Sequence, residues 1–187
     1  MKKIRFTFLF VIAALAISAV LVLVSGRWYL SQPIQGESAT PLLLDFRGGE
    51  SARTVTAKVT EHFQGGHPLV SYRISQVFAD IDHLQAGLYE IHGQQSWFDI
   101  WKMLSQGREK TFTVTLVEGL TFNQWLAQLK EQPYLVSKSS DLNDSELKQT
   151  LGIKEPAIEG VLLPETYSYR AYTTDISILK QAYLSMQ

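Results

Sequence analysis

The chain opens with an uninterrupted apolar segment. Residues 6–24 contain no charged side chain, and only Thr7 and Ser18 are polar. As a helix, this run of 19 residues would span roughly 28 Å, about the thickness of the hydrocarbon core of a bilayer. The apolar region of a cleaved signal peptide is shorter and ends at a small-x-small site, which residues 22–26 do not offer. The pattern therefore predicts an uncleaved transmembrane anchor.

The residues on either side of this segment indicate its orientation. Three basic side chains precede it within the first five residues, so the positive-inside rule predicts a cytoplasmic N-terminus. Trp28 and Tyr29 follow it and are typical of an aromatic belt at the opposite membrane surface. We therefore expect a cytoplasmic tail over residues 1–5, an anchor over 6–26, and the bulk of the protein outside the cytoplasm.

Beyond the anchor, the pattern predicts a linker and then a mixture of helices and strands. Residues 27–41 are polar and contain Pro33, Gly36 and Pro41, which favours a linker. Apolar residues then recur at helical spacing or alternate at strand spacing. The predicted strands are 42–46, 88–91 and 111–117; the predicted helices are 51–63, 68–78, 96–104, 121–129, 145–151 and one that begins at 175; residues 157–169 are predicted to be irregular. This mixture predicts the α+β fold class.

Some helix ends carry specific signals. Pro68 suits the first position of a helix, and Gly65 with Gly66 marks the end of the helix before it. Ser96 is a predicted N-cap with Asp99 in the first turn. A capping box is predicted for the helix 121–129, from its threonine and the glutamine three residues later.

The helix that begins at residue 175 is predicted to have an apolar face that packs against another element. Its apolar face is formed by Ile176, Leu179, Tyr183 and Met186. No terminating glycine follows this face before Gln187. Two interpretations stay open: the chain is a fragment of a longer protein, or the C-terminal helix frays.

Composition and charge narrow the classes of function. The 187 residues are 45% hydrophobic and 19% charged, which indicates a folded domain rather than disorder. The absence of cysteine excludes a disulfide framework and a thiolate metal site. The net charge is −1, and residues 28–187 contain 13 basic and 18 acidic residues, so the basic surface that nucleic-acid binding requires is not predicted.

The usual signatures of metal and phosphate sites are not found in the sequence. The histidines are His62, His67, His83 and His92. Their spacing does not form a paired helical or strand motif, so we expect surface or half-buried residues rather than metal ligands. No glycine-rich phosphate loop or nucleophile elbow occurs, and we expect neither a metal nor a cofactor.

Carboxylates are the stronger candidates for chemistry. Glu159 lies among apolar residues, which would reduce its solvation and suit it to general-acid catalysis. Glu165 follows Pro164, and two carboxylates with nearby tyrosines such as Tyr167 are typical of a glycan cleft. Alternatively, Glu159 accepts backbone N–H groups to hold a loop, and Glu165 lies at a helix N-terminus. Glu118 is similarly either a turn residue or a cleft residue.

Three segments carry a resemblance to a known family. Residues 85–89 (Gln-Ala-Gly-Leu-Tyr), 116–121 (Leu-Val-Glu-Gly-Leu-Thr) and 158–167 (Ile-Glu-Gly-Val-Leu-Leu-Pro-Glu-Thr-Tyr) occur in this order after the anchor. Together they resemble the YceG-like family of endolytic murein transglycosylases. Gln85 replaces the usual lysine and Glu165 the usual aspartate, and both substitutions preserve polarity.

The resemblance implies a division of the chain and assigns no catalytic residue. It implies a LysM-like subdomain over residues 42–115 and the start of a catalytic domain over 116–187. The catalytic glutamate of the family lies in a Glu-Lys-Glu motif that follows the last signature, and no such motif occurs up to Gln187. We therefore expect this to be the N-terminal part of the enzyme, inactive by itself. The expected cleft or loop-organising residues are Glu118, Glu159, Glu165 and Tyr167.

The implied activity is cleavage of peptidoglycan glycan strands. A glutamic acid would protonate the glycosidic oxygen, and the muramoyl 6-hydroxyl would attack the anomeric carbon to give a 1,6-anhydro end, which terminates elongation of nascent strands. The implied location is the bacterial inner membrane, with peptidoglycan synthases as possible partners. Two alternatives stay open: a non-catalytic, tethered glycan-binding or scaffold protein, and an anchored α+β domain of unrelated function.

Overall fold

A computed structural model describes residues 2–34 and 40–187, with side chains from Leu9 onward. The helices are α1 (Lys2–Ser31), α2 (Ala52–Phe63), α3 (Pro68–Phe78), α4 (Trp97–Ser105), α5 (Phe122–Lys130), α6 (Asp144–Leu151) and α7 (Asp175–Met186). The strands are β1 (Leu42–Phe46), β2 (Gly87–Ile91), β3 (Thr111–Thr115) and β4 (Thr166–Arg170). The chain forms two compact units, Met1–Glu109 and Lys110–Gln187, called unit 1 and unit 2 below. The predicted α+β class is confirmed.

The apolar segment forms a long exposed helix. From Leu9 to Ser31, α1 is long and apolar enough to cross a bilayer, and no other helix in the described residues meets that condition. Its side chains are exposed from Leu9 to Val24, as expected for a surface that contacts lipid rather than a protein core. The helix extends beyond the predicted anchor at both ends, because residues 2–5 and 27–31 are also helical.

The predicted linker is wrong for its first residues. Leu30 is fully buried, and the Tyr29 hydroxyl lies 2.9 Å from the Ser71 Oγ. Ile34 is also buried, and its N–H donates to the Gln95 carbonyl oxygen at 2.9 Å. These apolar side chains join the core of unit 1, and this burial outweighs the turn signal of the proline between them. The remainder of the predicted linker includes residues 35–39, which lie outside the described residues.

Unit 1 is built on an antiparallel pair of strands connected by two helices. β1 pairs with β2 in the register Leu42↔Ile91 to Phe46↔Gly87, and α2 and α3 connect them. The apolar faces of α2 and α4 cover this pair, with Trp101 almost fully buried. The predicted strands and helices of this unit are confirmed to within one or two residues.

The cap signals of unit 1 are confirmed with one exception. Ser96 and Asp99 form a reciprocal capping box at the start of α4, and Pro68 occupies the first turn of α3. Hydrogen bonds from the side chain and then the backbone of Ser96 hold the pKa of Asp99 below its ordinary value. The end of α2 differs, because Gln64 rather than Gly65 adopts the left-handed conformation.

Unit 2 contains a strand where the sequence predicted irregular structure. β3 pairs with β4 in the register Thr111↔Arg170 to Thr115↔Thr166. Tyr167 and Tyr169 point into the core while Ser168 between them is exposed, which is the alternation of a half-buried strand. The prediction of irregular structure is therefore wrong for residues 166–169. Gly160 and Pro164 disfavour regular structure, but both lie before the strand begins.

Because of this strand pairing, the observed boundary between the two units differs from the predicted one. The predicted LysM-like subdomain ended at residue 115, whereas the structure divides the chain after Glu109. All of β3 belongs to unit 2 because its hydrogen-bonding partner is β4. β3 is also shorter than predicted, and Leu116 continues the ladder with a single N–H donated to the Glu165 carbonyl oxygen at 2.9 Å.

The last helix packs into the core of unit 2. Its buried side chains are Asp175, Ile178, Leu179, Ala182 and Tyr183. Leu179 and Tyr183 belong to the predicted face, whereas Ile176 is half-buried and Met186 is exposed. The core of unit 2 also includes the inward side chains of α5, α6 and β4.

The buried carboxylate of Asp175 joins the start of α7 to the loop before α6. Its Oδ1 accepts the Lys138 N–H at 2.8 Å and the Ile176 N–H at 2.8 Å. The Ser139 N–H and hydroxyl and the Ser137 hydroxyl also donate to this carboxylate. The group is 1% exposed, so these donors replace the water that it loses on folding.

We predict that Asp175→Ala destabilises unit 2 strongly. It would leave several buried donors unpaired, at a cost of about 3 kcal/mol in the free energy of unfolding. Urea titration of the detergent-solubilised chain measures this cost. The control is Asp141→Ala, at an exposed position, for which a change of less than about 0.5 kcal/mol is expected. Equal effects of the two substitutions would contradict the anchoring role.

Candidate functional site

Unit 2 contains an open cleft of about 390 Å³ beside the N-terminus of α5. One wall is the turn between β3 and α5, and the opposite wall is the loop that precedes β4. The lining residues are Glu118, Gly119, Leu120, Thr121, Trp125, Glu159, Gly160, Leu162, Pro164 and Met186. The cleft therefore brings together two of the four candidate side chains, Glu118 and Glu159.

Glu159 is bound to the backbone at the start of α5. Its Oε2 accepts the Phe122 N–H at 3.0 Å, while Thr121 and Gln124 form the predicted capping box at the same helix end. A helix N-terminus presents unpaired N–H groups and partial positive charge, and a carboxylate satisfies both. This contact agrees with the alternative in which Glu159 accepts a backbone N–H group and holds a loop. The side chain is exposed, so the desolvated environment expected from its apolar sequence neighbours is not present.

Glu118 has no such structural contact. Its side chain is exposed, and within the described residues its carboxylate has no hydrogen-bond partner. The following residue, Gly119, has φ 84°, a conformation that allows the sharp turn from β3 into α5. Glu118 is therefore the carboxylate of the cleft that is available to a ligand.

Trp125 forms part of the floor of the cleft and was not singled out in the sequence. The indole N–H donates to the Val117 carbonyl oxygen at 2.9 Å, and the side chain is only 7% exposed. This hydrogen bond fixes the ring against the turn that carries Glu118. The signal in the sequence is a tryptophan shortly after the capping box that begins the helix.

Glu165 and Tyr167 lie outside the cleft. Glu165 is exposed immediately before β4, not at a helix N-terminus as one alternative proposed. The Tyr167 ring is buried in the core, and its hydroxyl donates to the Leu163 carbonyl oxygen at 2.7 Å. Burial, and then the nearby charge of Glu165, raise the pKa of Tyr167, so this phenol stays neutral and holds a loop.

A group of aromatic rings lies at the other end of the β3–β4 pair. Phe112 stacks on Tyr169 at 5.5 Å between ring centroids and contacts Tyr134 at 5.4 Å. Tyr134 and Tyr172 are exposed, and both have left-handed backbones with φ 57° and 66°. The Tyr172 N–H donates to the Tyr134 carbonyl oxygen at 2.7 Å, which helps to hold this unfavourable conformation. No pattern in the sequence indicated that these rings meet.

The described part of the chain contains no group of three or more metal-ligating side chains that could hold an ion. His67, His83 and His92 are exposed and His62 is half-buried, in agreement with their expected positions. The cleft instead presents one available carboxylate, an aromatic wall and turn backbone. Such a surface suits a ligand with hydroxyl groups and an apolar ring face.

Comparison with known proteins identifies the family. The YceG-like family matches residues 45–187, and the chain belongs to this family. Among solved structures, the chain is similar to a yceG-like protein from Listeria monocytogenes, with 16% sequence identity and a TM-score of 0.40. The similarity covers 80% of this chain and 54% of the Listeria protein, so the chain spans about half the length of that relative. No curated protein matches the chain.

The contacts predict different effects of removing the two cleft carboxylates. Glu159→Ala removes the acceptor of the Phe122 N–H and should lower the free energy of unfolding by about 1 kcal/mol. Glu118→Ala is the matched control, with an expected change within about 0.5 kcal/mol, because the group is exposed. Urea titration of the two variants measures the difference. A larger loss for Glu118→Ala would show that the roles are reversed.

Proposed function

We propose that the protein is a membrane-anchored lytic transglycosylase that cleaves peptidoglycan glycan strands. Membership of the YceG-like family over residues 45–187 carries this proposal. The apolar helix α1 supports it, because Leu30 in its last turn is buried in unit 1 and would keep that unit beside the membrane. Cleavage at this place would end the elongation of nascent strands.

The proposed reaction is intramolecular transfer at a glycosidic bond. A carboxylic acid donates its proton to the oxygen between N-acetylmuramic acid and the next sugar while that bond breaks. The resulting carboxylate takes the proton of the muramoyl 6-hydroxyl, whose oxygen forms the new bond to the anomeric carbon and closes the 1,6-anhydro ring. We assign this acid to no described residue, because Glu159 is bound to the helix N-terminus and Glu118 is fully solvated.

The residues of the cleft fit a role in holding the strand. The Glu118 carboxylate accepts hydrogen bonds from sugar hydroxyls, and the edge of Trp125 supplies apolar surface for a ring. We propose a LysM-like, glycan-holding role for unit 1. Its β1-α2-α3-β2 order with an antiparallel strand pair supports this role.

The proposed location is the bacterial inner membrane with the N-terminus in the cytoplasm. The basic residues before the apolar run and the aromatic residues Trp28 and Tyr29 after it support this orientation. Both units would then face the growing murein, where peptidoglycan synthases are the proposed protein partners.

Loss of the protein from its own bacterium tests the activity. We expect longer glycan strands and a lower fraction of 1,6-anhydro ends, because strand termination would be reduced. Muropeptide analysis by mass spectrometry measures both quantities, and restoring the protein on a plasmid provides the control. Unchanged strand length and unchanged anhydro ends would contradict the transglycosylase proposal.

The same experiment distinguishes the transglycosylase activity from a second candidate function. The available carboxylate of the cleft is solvated, which favours binding over acid catalysis and supports a non-catalytic, tethered glycan-binding protein. This alternative predicts unchanged anhydro ends together with co-sedimentation of the detergent-solubilised chain with isolated murein. A chain that neither changes the strands nor binds murein would exclude both functions.

A further inference from the structure

Helix α3 has apolar side chains on its outer face as well as on its inner face. Tyr72, Ile74 and Phe78 pack against the core of unit 1, whereas Leu69, Val70 and Val77 are 46%, 47% and 69% exposed. A helix on the surface of a water-soluble domain turns its apolar side chains inward and its polar ones outward. The exposed apolar residues of α3, which lie on the same face as Arg73, therefore form a second apolar surface that the core does not cover.

The residues that α3 buries completely are small and polar. Ser71 lies against the Tyr29 hydroxyl of α1, and Ser75 Oγ accepts the indole N–H of Trp101 at 2.8 Å. Small residues with internally paired hydroxyls are typical of helix packing inside membranes, where apolar side chains are directed to lipid.

Gly26 allows α1 and α3 to approach closely. A Cβ at this position would lie 2.5 Å from the Phe78 ring, so a larger residue would force the helices apart. Because Gly26 lies two residues after the apolar run of α1, the C-terminal end of α3 lies beside the end of that run.

A groove between the two helices continues this apolar surface. It has a volume of about 520 Å³, and Val22 and Leu23 of α1 line it together with Ile74 and Val77 of α3. Residues 22–24 belong to the segment that has the length of the hydrocarbon core. Val77 therefore lies beside residues that a bilayer would cover.

The charges around the groove fit a phospholipid headgroup. Arg73 lines the groove, and no acidic residue occurs between Pro68 and Phe78. Basic side chains at the edge of an apolar face attract lipid phosphates and extend their charged ends to the interface.

We propose that α3 contacts the membrane surface through its C-terminal end, with Val77 inserted among the lipids and the groove occupied by a phospholipid acyl chain. Unit 1 thus contacts the bilayer through two adjoining surfaces, the anchor and α3. This inference rests on the proposed membrane anchor and goes beyond it, because an anchor alone would leave the face of α3 in water.

Single-cysteine labelling tests the proposal, since the chain has no cysteine of its own. A nitroxide is attached to the full chain at Val77→Cys in vesicles of phosphatidylcholine and phosphatidylglycerol. Val24→Cys, on the exposed surface of α1, is the lipid reference, and Ala57→Cys, exposed on α2, is the water reference. The ratio of collisions with oxygen to collisions with a water-soluble nickel complex reports immersion in lipid.

We expect the ratio at position 77 to be within about twofold of that at 24 and at least about fivefold above that at 57. If the collision ratio at position 77 equals that at position 57 while position 24 gives the ratio of a lipid environment, the membrane contact of α3 is overturned and the anchor stands. Water-like ratios at both 24 and 77 would overturn the anchor and the proposal together.

Discussion

Burial of Leu30 at the end of α1 is the contact on which the rest of unit 1 depends. It joins an apolar helix that is exposed from Leu9 to Val24 to the core formed by α2, α4 and the β1–β2 pair. The nearby contact of Tyr29 with Ser71 fixes α3 to the same turn. As a result, the apolar segment enters the folded unit as a continuous helix, and the proposed anchor would orient unit 1 with α1.

In unit 2, the corresponding interaction is the hydrogen bonding of backbone N–H groups to two carboxylates. Asp175 binds the loop before α6 to the start of α7, and Glu159 binds the loop before β4 to the start of α5. Glu159, which is a candidate for catalysis in the sequence, therefore holds a loop in the structure. The cleft beside the start of α5 retains Glu118 as its available carboxylate, which suits binding of a hydroxyl-rich ligand more directly than proton transfer.

Local signals predicted much of the fold, whereas contacts between distant residues were not predictable. The N-cap at Ser96 and the capping box at Thr121 are each encoded within four residues and were found from the sequence. β4 was missed because a five-residue strand is defined by its pairing with β3, more than 50 positions earlier. Glu118 and Glu159 were identified, but their separate roles depend on the position of Phe122, which only the tertiary structure gives.

Amide hydrogen exchange at residues 27–30 in nanodiscs tests most directly whether α1 is continuous with unit 1. The account predicts slow exchange, comparable to that of the buried helix α4, because these N–H groups belong to a helix that is packed into the core. Exchange as fast as in an unstructured peptide would show that a flexible tether joins the anchor to the unit, and would contradict the account.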